Sequence, residues 1–168
     1  MSTGGPVRSR ATSIAAAAFV LLGLTGCTFS AVQANQKQYD PSDGFGATIG
    51  SIAIRNAMLV TDDGETANLV VNLVNTGVKN ARVVVSWEGP AGRVERNVYV
   101  AQDSTLSTGP EGNQFLMSGI DAPAGTLFPV FFQYGDEPGE ELGVPVLDGG
   151  LEEYADLVPG AGDPEASE

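Results

Sequence analysis

Residues 68–88 read Asn68-Leu-Val-Val-Asn-Leu-Val-Asn75-Thr-Gly-Val-Lys-Asn-Ala81-Arg-Val-Val-Val-Ser-Trp-Glu88. Leu69, Val71 and Leu73 fall at every second place, and Val83, Val85 and Trp87 repeat the pattern beyond Asn75-Thr76-Gly77. This is the period at which side chains alternate between the two faces of a strand, and the Asn-Thr-Gly between the runs is turn chemistry. Working outward, the pattern persists in both directions. Upstream, Ile52, Ile54, Met58 and Val60 are expected on one face of a strand that ends before the turn-forming Asp62-Asp63-Gly64. Downstream, Gly89-Pro90-Ala91-Gly92 breaks the chain, after which Val94, Val98 and Val100 alternate against Tyr99. Gly109-Pro110-Glu111-Gly112 breaks it again, ahead of strand-like runs at 115–118, 126–134 and 144–147. Short strands punctuated by Gly, Pro, Asn and Asp predict an all-β fold, an antiparallel Ig-like or cupredoxin-like β-sandwich of about 7 strands. That domain is expected over residues 39–148, where no segment has helical periodicity.

The chain has 168 residues, with 8 Lys+Arg against 21 Asp+Glu, a formal charge of −13, no histidine and one cysteine. A cationic footprint is needed to displace counterions from phosphates, so nucleic acid is excluded as the expected partner. Lack of histidine removes Ser-His-Asp and Cys-His pairs, imidazole metal ligands and an imidazole base near neutrality. A single cysteine forms neither an intrachain disulfide nor a CxxC site. The protein is therefore not expected to be an enzyme, and no catalytic residue, metal ligand or cofactor is assigned.

The first residues carry Arg8 and Arg10 and no acid, and Ile14 to Leu24 is almost wholly apolar. That is the layout of a secretory signal, and at about 1.5 Å per helical residue the apolar run spans only about half of a ~30 Å hydrocarbon core. Directly after it, Leu24-Thr25-Gly26-Cys27 resembles a bacterial lipobox, in which the cysteine becomes the mature N-terminus and takes a diacylglycerol. Residues 1–26 are thus expected as a lipoprotein signal peptide and 27–38 as the lipidated N-terminus and a flexible tether. Two or three fatty-acyl chains of the palmitate kind hold durably where one holds marginally. The expected location is the extracytoplasmic face of the cell membrane, with the diacylglycerol on Cys27 as the membrane contact. Cleavage leaves 6 Lys+Arg against 21 Asp+Glu, a balance of −15, which anionic lipids repel, so the lipid alone supplies attachment.

At the other end the charge changes abruptly, with 11 acids and no base from Asp136 to Glu168. Residues 149–168 are accordingly expected as an acidic, mostly disordered tail.

Tyr39-Asp-Pro-Ser-Asp-Gly44, Ile49-Gly50, Ile54-Arg55-Asn56, Leu73-Val-Asn-Thr-Gly77 and Gly143-Val-Pro-Val-Leu-Asp-Gly149 together resemble the small LpqE-like lipoproteins of actinobacteria. These are in turn distantly similar to the periplasmic copper chaperones, a cupredoxin-like family that binds copper(I) with histidine and methionine. The local likeness runs from Phe115-Leu-Met-Ser-Gly-Ile120 through Gly125 to Tyr134. The resemblance implies a sandwich and, as an alternative function, metal handling. Phe115, however, stands about where a chaperone histidine would be, and only Met58 and Met117 remain as thioethers after export. Two methionines on distant strands read more simply as core.

The remaining candidates have plain structural readings. Asp62-Asp63, Asp136-Glu137, Glu140-Glu141 and Glu152-Glu153 are adjacent carboxylates without the cleft that acid–base chemistry needs. The Asp40-to-Gly44 run lacks the register of a calcium loop. Asn56, Asn72 and Asn75 are expected to pair backbone groups, Arg55 to pair with Asp43 or another acid, and Trp87 to anchor the core. An outward Phe131 is a candidate contact. The expectation is a lipid-anchored, non-catalytic module binding an envelope protein through loops or a sheet edge; oligomeric state is left open.

Overall fold

The computed structural model describes residues 43–109 and 113–161; the segments expected as signal peptide and tether, with Cys27, lie outside the described residues. Strands β1 (Phe45–Ile49), β2 (Ile52–Val60), β3 (Thr66–Asn75), β4 (Ala81–Gly89) and β5 (Gly92–Val100) are followed by β6 (Ser104–Ser107), β7 (Leu116–Ser118), β8 (Leu127–Tyr134) and β9 (Glu140–Leu147). The single described helix, α1 (Glu152–Ala155), is one turn long.

β5, β4, β8 and β9 form one antiparallel layer. β2 and β3 form the heart of the other, with β1 beside β2 and with β6 and β7 sharing the far edge of β3. The layers join where β9 runs parallel to β2 through Leu59↔Val146 and Val60↔Leu147, so the whole is a curled mixed sheet in the order β5-β4-β8-β9-β2-β3-β6. The all-β fold holds, with one parallel contact added to the antiparallel plan and two more short strands than the alternation announces. β1 and β6 carry little apolar alternation of their own and exist through pairings such as Thr48↔Ala53 and Asn72↔Ser107.

Between the layers lies the main core. Leu69, Val71, Leu73, Val83, Val85, Trp87, Val98 and Val100 enter it from the expected faces, and Phe128, Val130, Phe132, Val144 and Val146 come from β8 and β9. Each such side chain contributes roughly 1.5–3 kcal/mol when removed from water. Tyr99, of opposite parity to Val98 and Val100, is exposed.

β2 departs from the expected parity. Ile52 and Ile54 face the main core, but so do Ala57 and Leu59, while Met58 and Val60 turn to a second cluster on the outer side. The cause is a bulge between Arg55 and Met58, where Asn56 takes the left-handed conformation at φ 52°. One extra residue reverses the alternation of everything after it.

The second cluster corrects the expected boundary at residue 149. Tyr154, Leu157 and Val158 are buried against Met58 and Val60, with Val70 and Leu147 packed alongside. The acids and glycines around them read as solvated tail, yet Tyr154 from α1 and Leu157 and Val158 from the turn that follows it cover the apolar stripe that the bulge exposes. Residues 162–168 lie outside the described residues.

Candidate functional site

The β4–β5 hairpin turns through Pro90-Ala91 between the paired Gly89 and Gly92, the latter at φ 109°. β4 also pairs with β8, but only from Val83↔Tyr134 to Ser86↔Phe131. Pro129 has no N–H to continue that ladder, so the two strands part beyond Ser86. The parting leaves a small open hollow lined by Ser86, Trp87, Glu88, Arg93, Pro129, Phe131 and Glu141.

Arg93 occupies this outer face. Its Nη2 donates to the Oγ of buried Ser86 at 2.7 Å, its Nε lies 3.3 Å from Glu95 Oε1, and its guanidinium sits 5.1 Å from the Phe131 ring centre. Phe131 therefore projects away from the main core as expected, but Arg93 covers it on one side and the chain at Gly139 on another, where a Cβ would overlap the ring. At the opposite rim of the hairpin Arg96 lies 5.8 Å from the Phe115 ring centre. Phe115 also meets Trp87 edge to face at 6.4 Å, and the Trp87 indole N–H donates to Ser118 O at 3.1 Å.

Charge is divided sharply. Residues 79–100 hold Lys79, Arg82, Arg93 and Arg96 against Glu88 and Glu95. The rest of the described residues hold Arg55 alone against 14 acids. Five of those acids gather in a hollow lined by Asp62, Asp63, Glu65, Asp121 and Asp148. Asp63 is a turn residue there: its Oδ1 accepts from Glu65 N at 2.8 Å, Thr66 N at 2.9 Å and Thr61 Oγ1 at 3.1 Å. The backbone donors of Thr66 and Glu65 hold its carboxyl below the usual value of 3.8. Asp62 Oδ1 accepts from Gly149 N. Among the described residues no three acidic or cysteine side chains are grouped so as to hold a metal ion.

Asn56 and Asn75 act on the backbone as expected, whereas Asn72 bonds to a side chain. Asn56 Oδ1 accepts from Gly44 N, and Asn72 Oδ1 accepts from Ser107 Oγ. Asn75 Nδ2 donates to the carbonyls of Lys79, Val100 and Ala101, while its Oδ1 accepts from Gly77 N. Arg55 does not pair with Asp43. Its Nη1 donates to the carbonyls of Ala47 and Ile54, whereas Asp43 Oδ2 accepts from Tyr154 Oη at 2.6 Å. Two features escaped the sequence reading: this Tyr154–Asp43 bond, and Asn68, fully buried, whose Nδ2 donates to Leu157 O and whose Oδ1 accepts from Phe115 N. Neither had a local signal, since the partners are separated by 111 and 89 residues. Met58 and Met117 are both buried, in the outer cluster and the main core respectively.

The chain is similar, at low identity, to solved structures of one class of domain. Its fold has a distant likeness to PCuAC, or periplasmic copper chaperone, domains. It is similar to the copper-bound PCuAC domain from PmoF2 at 19% identity and a TM-score of 0.49, covering 62% of this chain and 98% of that one. It is similar to the apo PCuAC domain from PmoF1 at 12% identity and 0.47, covering 61% and 98%. No protein-family model and no curated protein matches the chain.

Proposed function

We propose that the protein is a lipid-anchored, non-catalytic β-domain of the cell envelope, of the LpqE-like kind, which binds another envelope component through its β4–β5 side. The anchor is supported by the apolar run ending at Leu24 and the Leu24-Thr25-Gly26-Cys27 that follows it. The observation that carries the binding role is the segregation of charge, with four cations within residues 79–100 and one in the rest of the described chain. The polar side chains inside serve the fold: Asn68, Asn75, Ser86 and Thr61 are buried and each is hydrogen-bonded.

The test of placement is the mass and partitioning of the mature chain isolated from its host. Acyl mass on Cys27 and recovery in the detergent phase are expected, and Cys27→Ser should move the chain to the aqueous phase. A chain without acyl mass overturns the anchor. The alternative, a copper(I)-handling protein, draws on the resemblance to the copper chaperones. It requires soft ligands held together, and Met58 and Met117 lie in separate apolar clusters. Mass spectrometry of the chain with equimolar copper(I) separates the two readings, because a retained stoichiometric adduct favours the alternative.

A further inference from the structure

We propose that β5 is a docking edge which takes an extended acidic segment of a partner protein as an added strand; this rests on the binding role proposed above and names its site and its partner's chemistry. β5 runs nine residues in unbroken register with β4, from Gly89↔Gly92 to Ala81↔Val100. Among the described residues, no strand pairs with its far side and no turn or loop backbone bond reaches it. The hairpin closes on the pair Gly89 and Gly92, and antiparallel ladders alternate. The N–H and C=O groups of Arg93, Glu95, Asn97 and Tyr99 therefore point away from β4, along the open side.

Long edges invite strand addition unless a proline, a bulge, a covering element or edge charge blocks them; β5 has none of the first three among the described residues, and its charges, Arg93, Glu95 and Arg96, discourage a cationic strand. Charge selects the occupant. Arg93 and Arg96 stand on the edge strand itself, and Arg82 stands opposite Tyr99 on β4. The one acid on β5, Glu95, is already matched by Arg93. An incoming strand of alternating acidic and apolar residues would set its carboxylates on the face that carries Arg93 and Arg82 and its apolar side chains on the opposite face, that of Val94 and Val98. A second copy of this chain is the poorer occupant, because edge-to-edge pairing brings together two copies of residues 79–100, each with four cations and two acids.

The experiment uses the full chain in a nonionic detergent with capped octapeptides as probes: alternating Glu-Val, and alternating Lys-Val as the control. Saturating Glu-Val peptide should slow amide exchange at Arg93, Glu95, Asn97 and Tyr99 by about tenfold or more while leaving Val94 and Val98 unchanged. Raising salt from about 50 to about 200 mM should weaken binding several-fold. Asn97→Pro removes one open N–H without touching the β4 ladder and should reduce affinity by about tenfold. Should Asn97→Pro unfold the chain, Arg93→Glu with Arg96→Glu gives the same expectation through charge. Absence of edge protection with millimolar Glu-Val peptide overturns the proposal. So do equal binding of the Lys-Val peptide and edge protection by self-association without any peptide. The peptide readout is independent of acylation at Cys27. If crosslinks from other surfaces to an envelope component appear in intact cells while the edge stays unprotected, only this inference fails.

Discussion

Asn56 shows how much one backbone angle decides. At φ 52° it supplies the extra residue of the β2 bulge, and its Oδ1 accepts from Gly44 N at 2.9 Å, fastening the chain ahead of β1. Asparagine tolerates the left-handed region better than most residues, and alanine meets the Cβ penalty there without offering an acceptor. Asn56→Ala should therefore lower stability by about 1–3 kcal/mol in urea titration, and Asn56→Gly by less, since glycine loses only the hydrogen bond. Equal losses for the two would show that conformation is not what the position selects. Tyr154 offers a test with a sign. Its hydrogen bond to Asp43, reinforced by burial and by the charges of Asp43 and Glu153, pushes the phenol from 10.0 up to about 12. The folded state thus favours the neutral phenol, so this contribution is complete below pH 10 and is lost as pH rises through about 12. The urea midpoints of the native chain and Tyr154→Phe should differ at neutral pH and converge over that window; a constant gap would remove the bond as the cause.

At the scale of elements, the segment 149–161 behaves as a strap. Tyr154, Leu157 and Val158 cover Met58 and Val60, and the carbonyl of Leu157 satisfies the Nδ2 of Asn68, which has no access to water. Leu157→Ala should cost about 2–3 kcal/mol by the loss of buried methyl groups. Truncation after Asp148 should cost more and should raise binding of a hydrophobic dye, because Met58, Val60 and Val70 are then uncovered. Unchanged stability in the truncated chain would mean that the strap only rests on the surface. The same elements explain what was legible in the sequence. β3, β4 and β5 were readable face by face because Leu69, Val71, Leu73, Val83, Val85 and Trp87 alternate without interruption, and the turns between them carry Gly, Asn or Pro. β2 was readable as a strand but not beyond Arg55, since a bulge leaves no mark in an apolar pattern. β1 and β6 were hidden because neighbours create them. The strap was hidden because its acids outnumber its three apolar anchors, and the open edge of β5 because strand order is not written in local periodicity. The division of charge was on the page from the start, but it became a surface only when the hairpin was placed at the end of the sheet order.

For the whole molecule, that division has an energetic consequence separate from binding. Outside residues 79–100 the described chain sets 14 acids against one cation, and Arg55 is held by carbonyls rather than carboxylates. The closest ion pair given by the described side chains, Arg93 with Glu95, lies on the hairpin and relieves none of the repulsion elsewhere. Like charges spread over a small domain oppose compaction, and they are screened over roughly 10 Å at 0.1 M ionic strength. The unfolded chain spaces the same carboxylates farther apart, so salt should relieve the folded state more. Raising potassium chloride from about 10 to about 300 mM should therefore stabilise the domain by on the order of 1 kcal/mol, read as a higher melting temperature, whereas an uncharged osmolyte matched in osmolality should not reproduce the salt slope. Converting Arg82 and Arg96 to glutamate extends the acidic field over the hairpin and should steepen that slope. A melting temperature indifferent to salt, or one that falls as salt is added, would mean that local pairing on the hairpin outweighs the repulsion of the body.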